Sequence, residues 1–278
     1  MKWIAAYLAV YGVALALLAV FEKFDVVEPL FILVLAGGGF TLIAWLLVRR
    51  ARPVEGVRVD VSWWGIGAWL LLLAIVLGIG FPQQPLLKVA VKLLVFVIVP
   101  FVAFRPRFPL RFGRRDAIVA ALLFIVMTFF QGAFGNGFRK IADAGLTGLP
   151  LAIATLASFI WMSIEAGLVE EFSFRGIVQT RLEQATRSAA GGIVITSIVF
   201  ALIHVPGLYL RTGQTNESFT KPSPLFAVCY AITILSPIAL FLGYLWTRTR
   251  NLLLLVLVHG AIDMVPNVVD VAKALRIQ

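Results

Sequence analysis

Long apolar stretches separated by short charged clusters dominate the chain, and nine of them read as helices: 3–21, 30–48, 63–81, 86–104, 117–134, 149–182, 191–204, 224–246 and 252–271. About 20 apolar residues suffice for a helix to cross the hydrocarbon core. Lipid offers the backbone no hydrogen-bond partner, so such runs must bond internally. They are continuous and rich in Leu, Ala and Val, without the period-two alternation of a membrane barrel strand. The pattern predicts an all-α integral membrane protein, a polytopic bundle of about eight or nine transmembrane helices. No repeat or low-complexity linker divides it, so 1–278 reads as a single membrane domain, with helices of unassigned role over 1–148 and the informative residues in 149–271.

Composition agrees: 61% of residues are hydrophobic and 14% charged, at a mean hydropathy of +0.98, more apolar surface than a soluble domain hides. Lys2 followed by an apolar run and Ala14-Leu15-Ala16 resembles a signal peptide, but further spans follow at once, and the run reads as an uncleaved first helix. The one cysteine, Cys229, excludes an intrachain disulfide and a cysteine metal cluster. Trp3, Trp63, Trp64 and Trp246 fall near span ends, where interfacial anchors belong.

The net charge of +10 sorts by connection. One side collects Lys2, then Arg49, Arg50, Arg52 and Arg58, then Arg105, Arg107, Arg111, Arg114 and Arg115, then Arg175, Arg181 and Arg187, and finally Arg248 and Arg250. The other holds the acidic 22–28 turn and scattered basic residues such as Lys88, Lys92 and Arg139. By the positive-inside rule the N-terminus is cytoplasmic, in what reads as the plasma membrane. Anionic lipid headgroups, at about 1 kcal/mol per basic residue near the surface, account for the charge without nucleic acid.

Ionisable groups inside apolar runs carry the chemical information, since each costs roughly 2.5–3.5 kcal/mol at mid-membrane. Three clusters stand out: Glu170-Glu171-Phe172-Ser173-Phe174-Arg175, then Phe200 with His204, then His259 with Asp263. Glu171 and Arg175, four apart, share a helical face and can pair. Glu170 points about 100° away, which leaves its carboxylate available to take a proton. His204 and His259 are the only histidines in the chain. If the chain turns near Arg187, Glu170 and His204 are each seventeen residues from the turn and lie at equal depth, about 25 Å along antiparallel helices. His259, nine residues after Arg250, reaches only about 13 Å and has to be brought level by tilt or by a helix that enters the bilayer later.

These three elements, in this order, resemble the intramembrane endopeptidases related to the CAAX prenyl endopeptidase and the bacteriocin-processing enzymes, the CPBP or Abi family. The resemblance spans roughly 149–271. It implies a protease acting on peptides or lipidated proteins, with Glu170 as general base, His204 polarising the water, His259 and Asp263 on the oxyanion side, and Glu171 and Arg175 as structural support beside Phe200. Asp263 stands where the family often has asparagine. An ionised aspartate cannot donate to an oxyanion, so Asp263 is expected to orient His259, and Asn267, four residues on, to supply the amide donor.

No cofactor is expected. A zinc enzyme with Glu170, His204 and His259 as ligands is the nearest alternative, although neither histidine is followed by glutamate as in the zincin helix. A transporter or scaffold using these residues as a proton relay is the other, without the matched broken helices that would support it. Glu165 reads as lining a polar cavity, and 205–223 as an external loop or lid.

Overall fold

The computed structural model describes residues 2–50, 57, 59, 61–79, 84–108, 112–210 and 222–277. The expected all-α architecture is present, and no strand forms among these residues. In chain order the helices are α1 (Lys2–Phe21), α2 (Val27–Val48), α3 (Trp63–Ile79), α4 (Leu86–Phe104), α5 (Arg114–Ala133), α6 (Gly137–Asp143), α7 (Gly148–Thr186), α8 (Ala189–Ile203), α9 (Val205–Leu210), α10 (Pro224–Thr249) and α11 (Leu252–Ala274). Among the described residues, eight helical stretches are long and apolar enough to cross a membrane, with α8 and α9 counted as one, and α3 holds a shorter apolar stretch.

Burial separates the core from its surround. In α10 and α11, 72% and 67% of the apolar window is buried, against 22% in α1 and α2 and 11% in α4, so the last two helices form the centre and the first ones face lipid. α11 packs along α7 and α5, α8 along α10, α10 against α2, and α9 against α3. Trp246 is not an interfacial anchor. It is fully buried, and its indole donates to Thr180 Oγ1 at 3.2 Å, because α10 passes through the middle of the bundle there.

The basic connections gather at one end. Arg248 donates to the Arg49 carbonyl at 2.9 Å and Arg115 to that of Leu47 at 3.1 Å, the Arg181 guanidinium lies 4.9 Å from the Trp63 ring, and Gly191 lies against Trp3. Arg187 and Arg250 close the α7/α8 and α10/α11 hairpins at φ 49° and 48°, a left-handed form that costs a non-glycine residue about 1–2 kcal/mol. Arg250 offsets that cost through an ion pair with Glu183, and a cation at a helix C-terminus meets the negative end of the dipole. Arg175 does not belong to this basic end: it is fully buried within α7.

The 39-residue helix α7 contains two π segments, Ser163–Leu168 and Glu171–Gln179, with Val169 and Glu170 between them. Such wide turns recur at functional sites because they re-aim side chains without breaking the helix. Helix α8 ends where Pro206, lacking an N–H, cannot continue the hydrogen-bond ladder. The chain turns at His204 and resumes as α9, so the proline interrupts the helix rather than ending it. Of the 205–223 segment, Val205–Leu210 is therefore helical, and 211–221 lie outside the described residues.

Candidate active site

Glu170 sits between two imidazoles. Its Oε1 lies 3.9 Å from His204 Nε2 and its Oε2 lies 3.7 Å from His259 Nε2. Both separations are too long for a direct hydrogen bond and suit a shared water. The α7/α8 hairpin turns at Arg187, as the residue count requires, and this sets Glu170 opposite His204.

His259 joins them because the two hairpins do not turn at the same level. The Arg250–Glu183 ion pair sets the start of α11 beside Glu183, four residues short of Arg187. The π turns at Glu171–Gln179 further shorten the rise of α7 between Glu183 and Glu170, since a wider turn holds more residues per unit length. Close packing completes the fit. A Cβ on Gly260 would fall 2.9 Å from Ser163 Cα and one on Gly167 2.7 Å from the Val256 carbonyl, so only glycine at these two positions lets α7 and α11 approach this closely.

Hydrogen bonds fix both rings. His204 Nδ1 donates to the Phe200 carbonyl at 2.7 Å, which directs Nε2 toward Glu170. His259 Nδ1 donates to Glu171 Oε1 at 2.5 Å, which directs its Nε2 likewise. Glu171 accepts at the same oxygen from Arg175 Nη1 at 3.1 Å, as the four-residue spacing predicts. Arg175 Nη2 donates to the Ala239 carbonyl at 3.4 Å, and its guanidinium lies 4.7 Å from the Phe200 ring centre, a cation–π contact. One buried chain of contacts thus links Phe200, Arg175, Glu171 and His259.

One expectation is corrected and one gains its geometry. Asp263 reaches His259 as expected, but at the nitrogen that faces the site: Glu171 occupies Nδ1, and Asp263 Oδ2 lies 3.4 Å from Nε2, on the side of Glu170. Its position one turn along α11 places it on the reacting face. Asn267 does not offer its amide to the site. Its Nδ2 donates to the Asp263 carbonyl at 2.8 Å, the bond back to its own helix that polar side chains in apolar surroundings commonly make.

Sequence reasoning also missed how Glu165 is held. Lys88 and Lys92 lie within α4, and both pair with Glu165 Oε1, Lys92 at 3.0 Å, while Trp161 Nε1 donates to Oε2 at 2.5 Å. The i,i+4 spacing of Trp161 and Glu165 was a visible signal; the contact from α4 across 73 positions was not. Among the described residues, no three His, Cys, Asp or Glu side chains form a group that could hold a metal ion.

The arrangement offers an acceptor for a water proton, a second acceptor beside it and a ring nitrogen facing both. Side-chain exposures of 23% at Glu170 and 26% at His204 leave the centre accessible. No curated protein and no solved structure matches the chain. Residues 152–265 match the sequence model of the type II CAAX prenyl endopeptidases, Rce1-like, and this segment contains Glu170, Glu171, Arg175, Phe200, His204, His259 and Asp263. The match covers 114 of the chain's 278 residues, and over that segment the chain is similar to the Rce1-like CAAX prenyl endopeptidases.

Proposed function

We propose that the chain hydrolyses peptide bonds of membrane-associated or lipidated substrates with a water activated by Glu170, without a metal. The observation that carries this reading is the placement of one carboxylate between two imidazole Nε2 atoms, at 3.9 and 3.7 Å, while both Nδ1 atoms are engaged elsewhere. With Nδ1–H given to the Phe200 carbonyl, neutral His204 presents a lone pair at Nε2. A water between Glu170 and His204 then donates one hydrogen to each, and its oxygen lone pair is raised toward a substrate carbonyl.

As the water attacks, Glu170 takes its proton and negative charge builds on the carbonyl oxygen. His259 gives Nδ1–H to Glu171, so in its doubly protonated form it also has an Nε2–H to donate to that oxyanion, an interaction that strengthens in the transition state. Collapse of the tetrahedral intermediate breaks the C–N bond, and Glu170 returns the proton to the leaving amine. Asp263, next to His259 Nε2, supports the imidazolium by its charge.

The basic end would face the cytoplasm of the plasma membrane and anionic headgroups there, with the N-terminus on that side. The test is Glu170→Gln in purified protein in nanodiscs, assayed with a prenylated peptide. The variant should fold and cut nothing. Turnover near that of the unmodified protein would sink the glutamate-base reading.

A further inference from the structure

A cavity of about 410 Å³ opens between α5, α7 and α11, within the size range of ligand pockets. It runs along α7 from Gly148 to Phe159 and is lined by Thr155 and Leu156 and, from the flanking helices, by Phe124 and Met264. Apart from the Thr155 hydroxyl and the Met264 sulfur, the lining side chains are hydrocarbon. The floor is buried, with Met264 1% exposed, and the rim is open, with Leu156 at 61%. The eleven steps from Gly148 to Phe159 rise about 16 Å, half the ~30 Å thickness of the hydrocarbon core, so the groove has the depth of one leaflet.

The groove ends where four cations gather. Helices α7 and α11 run antiparallel and are joined where Ser158 Oγ donates to the Met264 carbonyl at 2.8 Å. Ten residues before Ser158 is Gly148 and ten after Met264 is Ala274, so Lys273 and Arg276 stand level with the end of the groove. Helix α6 reaches the same level, because Ile141 packs into one apolar cluster with Leu151 and Ala272, and this brings its neighbours Arg139 and Lys140. All four cations are exposed, and among the described residues none of them forms an ion pair. They outnumber Asp143 and Asp270 on the same elements, and they lie at the end of the bundle opposite Arg187 and Arg250, where the positive-inside bias does not account for them.

We propose that the groove and these cations bind one anionic glycerophospholipid from the leaflet at this end, with an acyl chain between α5, α7 and α11 and the headgroup phosphate on Arg139, Lys140 and Lys273. The groove supplies an apolar wall of one chain's depth. The guanidinium and ammonium groups supply charge-assisted hydrogen bonds to phosphate oxygens. A zwitterionic headgroup presents the same phosphate together with its own ammonium, which offsets the attraction, and an anionic headgroup keeps it. Because this site involves neither Glu170 nor the histidines, it stands apart from the hydrolase reading.

The experiment uses the full chain in nanodiscs that contain equal traces of phosphatidylglycerol and phosphatidylcholine, each with a diazirine on the same acyl chain and distinguishable by mass. After illumination, mass spectrometry maps the labels. On residues 148–159 the phosphatidylglycerol label should exceed the phosphatidylcholine label about thirtyfold, the effect of two basic residues near an anionic headgroup. Arg139→Gln with Lys140→Gln should bring that ratio to near one, and Lys273→Gln, on a different helix, should lower it about fivefold. Both labels compete within one sample, so the ratio does not depend on how much of a variant folds. Thr155→Trp fills the groove and should remove labelling of 148–159 by either lipid. Equal labelling by the two lipids, a preference that survives loss of the α6 charges, labels spread evenly over the lipid-facing helices, or labelling that persists in Thr155→Trp overturns the site.

Discussion

Glu171 and His259 lie 88 residues apart in the chain and meet at 2.5 Å, carboxylate oxygen to Nδ1, with Arg175 on the same oxygen. The contact makes Glu171 a positioning residue: it fixes which nitrogen of His259 faces the reacting atoms. Glu171→Gln keeps an oxygen that accepts from Nδ1 and loses the charge that balances Arg175. We expect kcat to fall about a hundredfold with KM little changed, within the range of general acid–base contributions. Glu171→Ala should lose more activity and lower the unfolding temperature, because a buried ion pair stripped of one partner costs about 3–5 kcal/mol. Equal activity in the two variants would remove the orienting role.

Asp263→Asn tests the charge beside His259 Nε2. It preserves size and removes the negative charge, and kcat should drop about tenfold, or ~1.4 kcal/mol, without loss of fold. Steady-state kinetics on a prenylated peptide decides: unchanged or increased turnover means that an amide serves this position as well.

Gly260→Ala tests the helix crossing. The added methyl meets Ser163, whose Cα is 2.9 Å from the ideal Cβ position, so α11 has to move away from α7 and carry His259 with it. Overpacking of this kind costs about 1–3 kcal/mol, and even a displacement near 1 Å costs about a hundredfold in rate. Thermal unfolding and activity should both fall. A fully active Gly260→Ala protein would show that His259 does not depend on this approach.

Metal removal separates the proposed chemistry from a zinc enzyme. Purified protein treated with a chelator should keep its activity. Loss on chelation, with recovery on adding zinc, would reassign Glu170, His204 and His259 as ligands.

The pairing of Glu170 with His204 was legible in the residues themselves, because equal step counts from a single turn at Arg187 bring the two to similar depth, within the few ångströms that the π turns of α7 take away. The level of His259 was not. It depends on the Glu183–Arg250 ion pair and on π turns in α7, and apolar periodicity records neither. Glu171 was correctly paired with Arg175, but a carboxylate has room for more than one donor, and spacing along one helix says nothing about a partner on another. Asn267 shares a helical face with Asp263, as counted, yet its amide found the nearer acceptor on its own backbone. Lys88 and Lys92 fall inside the expected 86–104 helix, but their pairing with Glu165 was not legible, because a lysine's partner across the bundle leaves no mark on the local pattern.

Pro206 bends the chain next to His204 by what it lacks rather than by what it touches. An absent hydrogen cannot be displaced by solvent, neutralised by acid or squeezed out by a thicker bilayer. The break in the helix beside that imidazole is therefore set by covalent structure, and it should persist in any lipid in which the bundle itself survives.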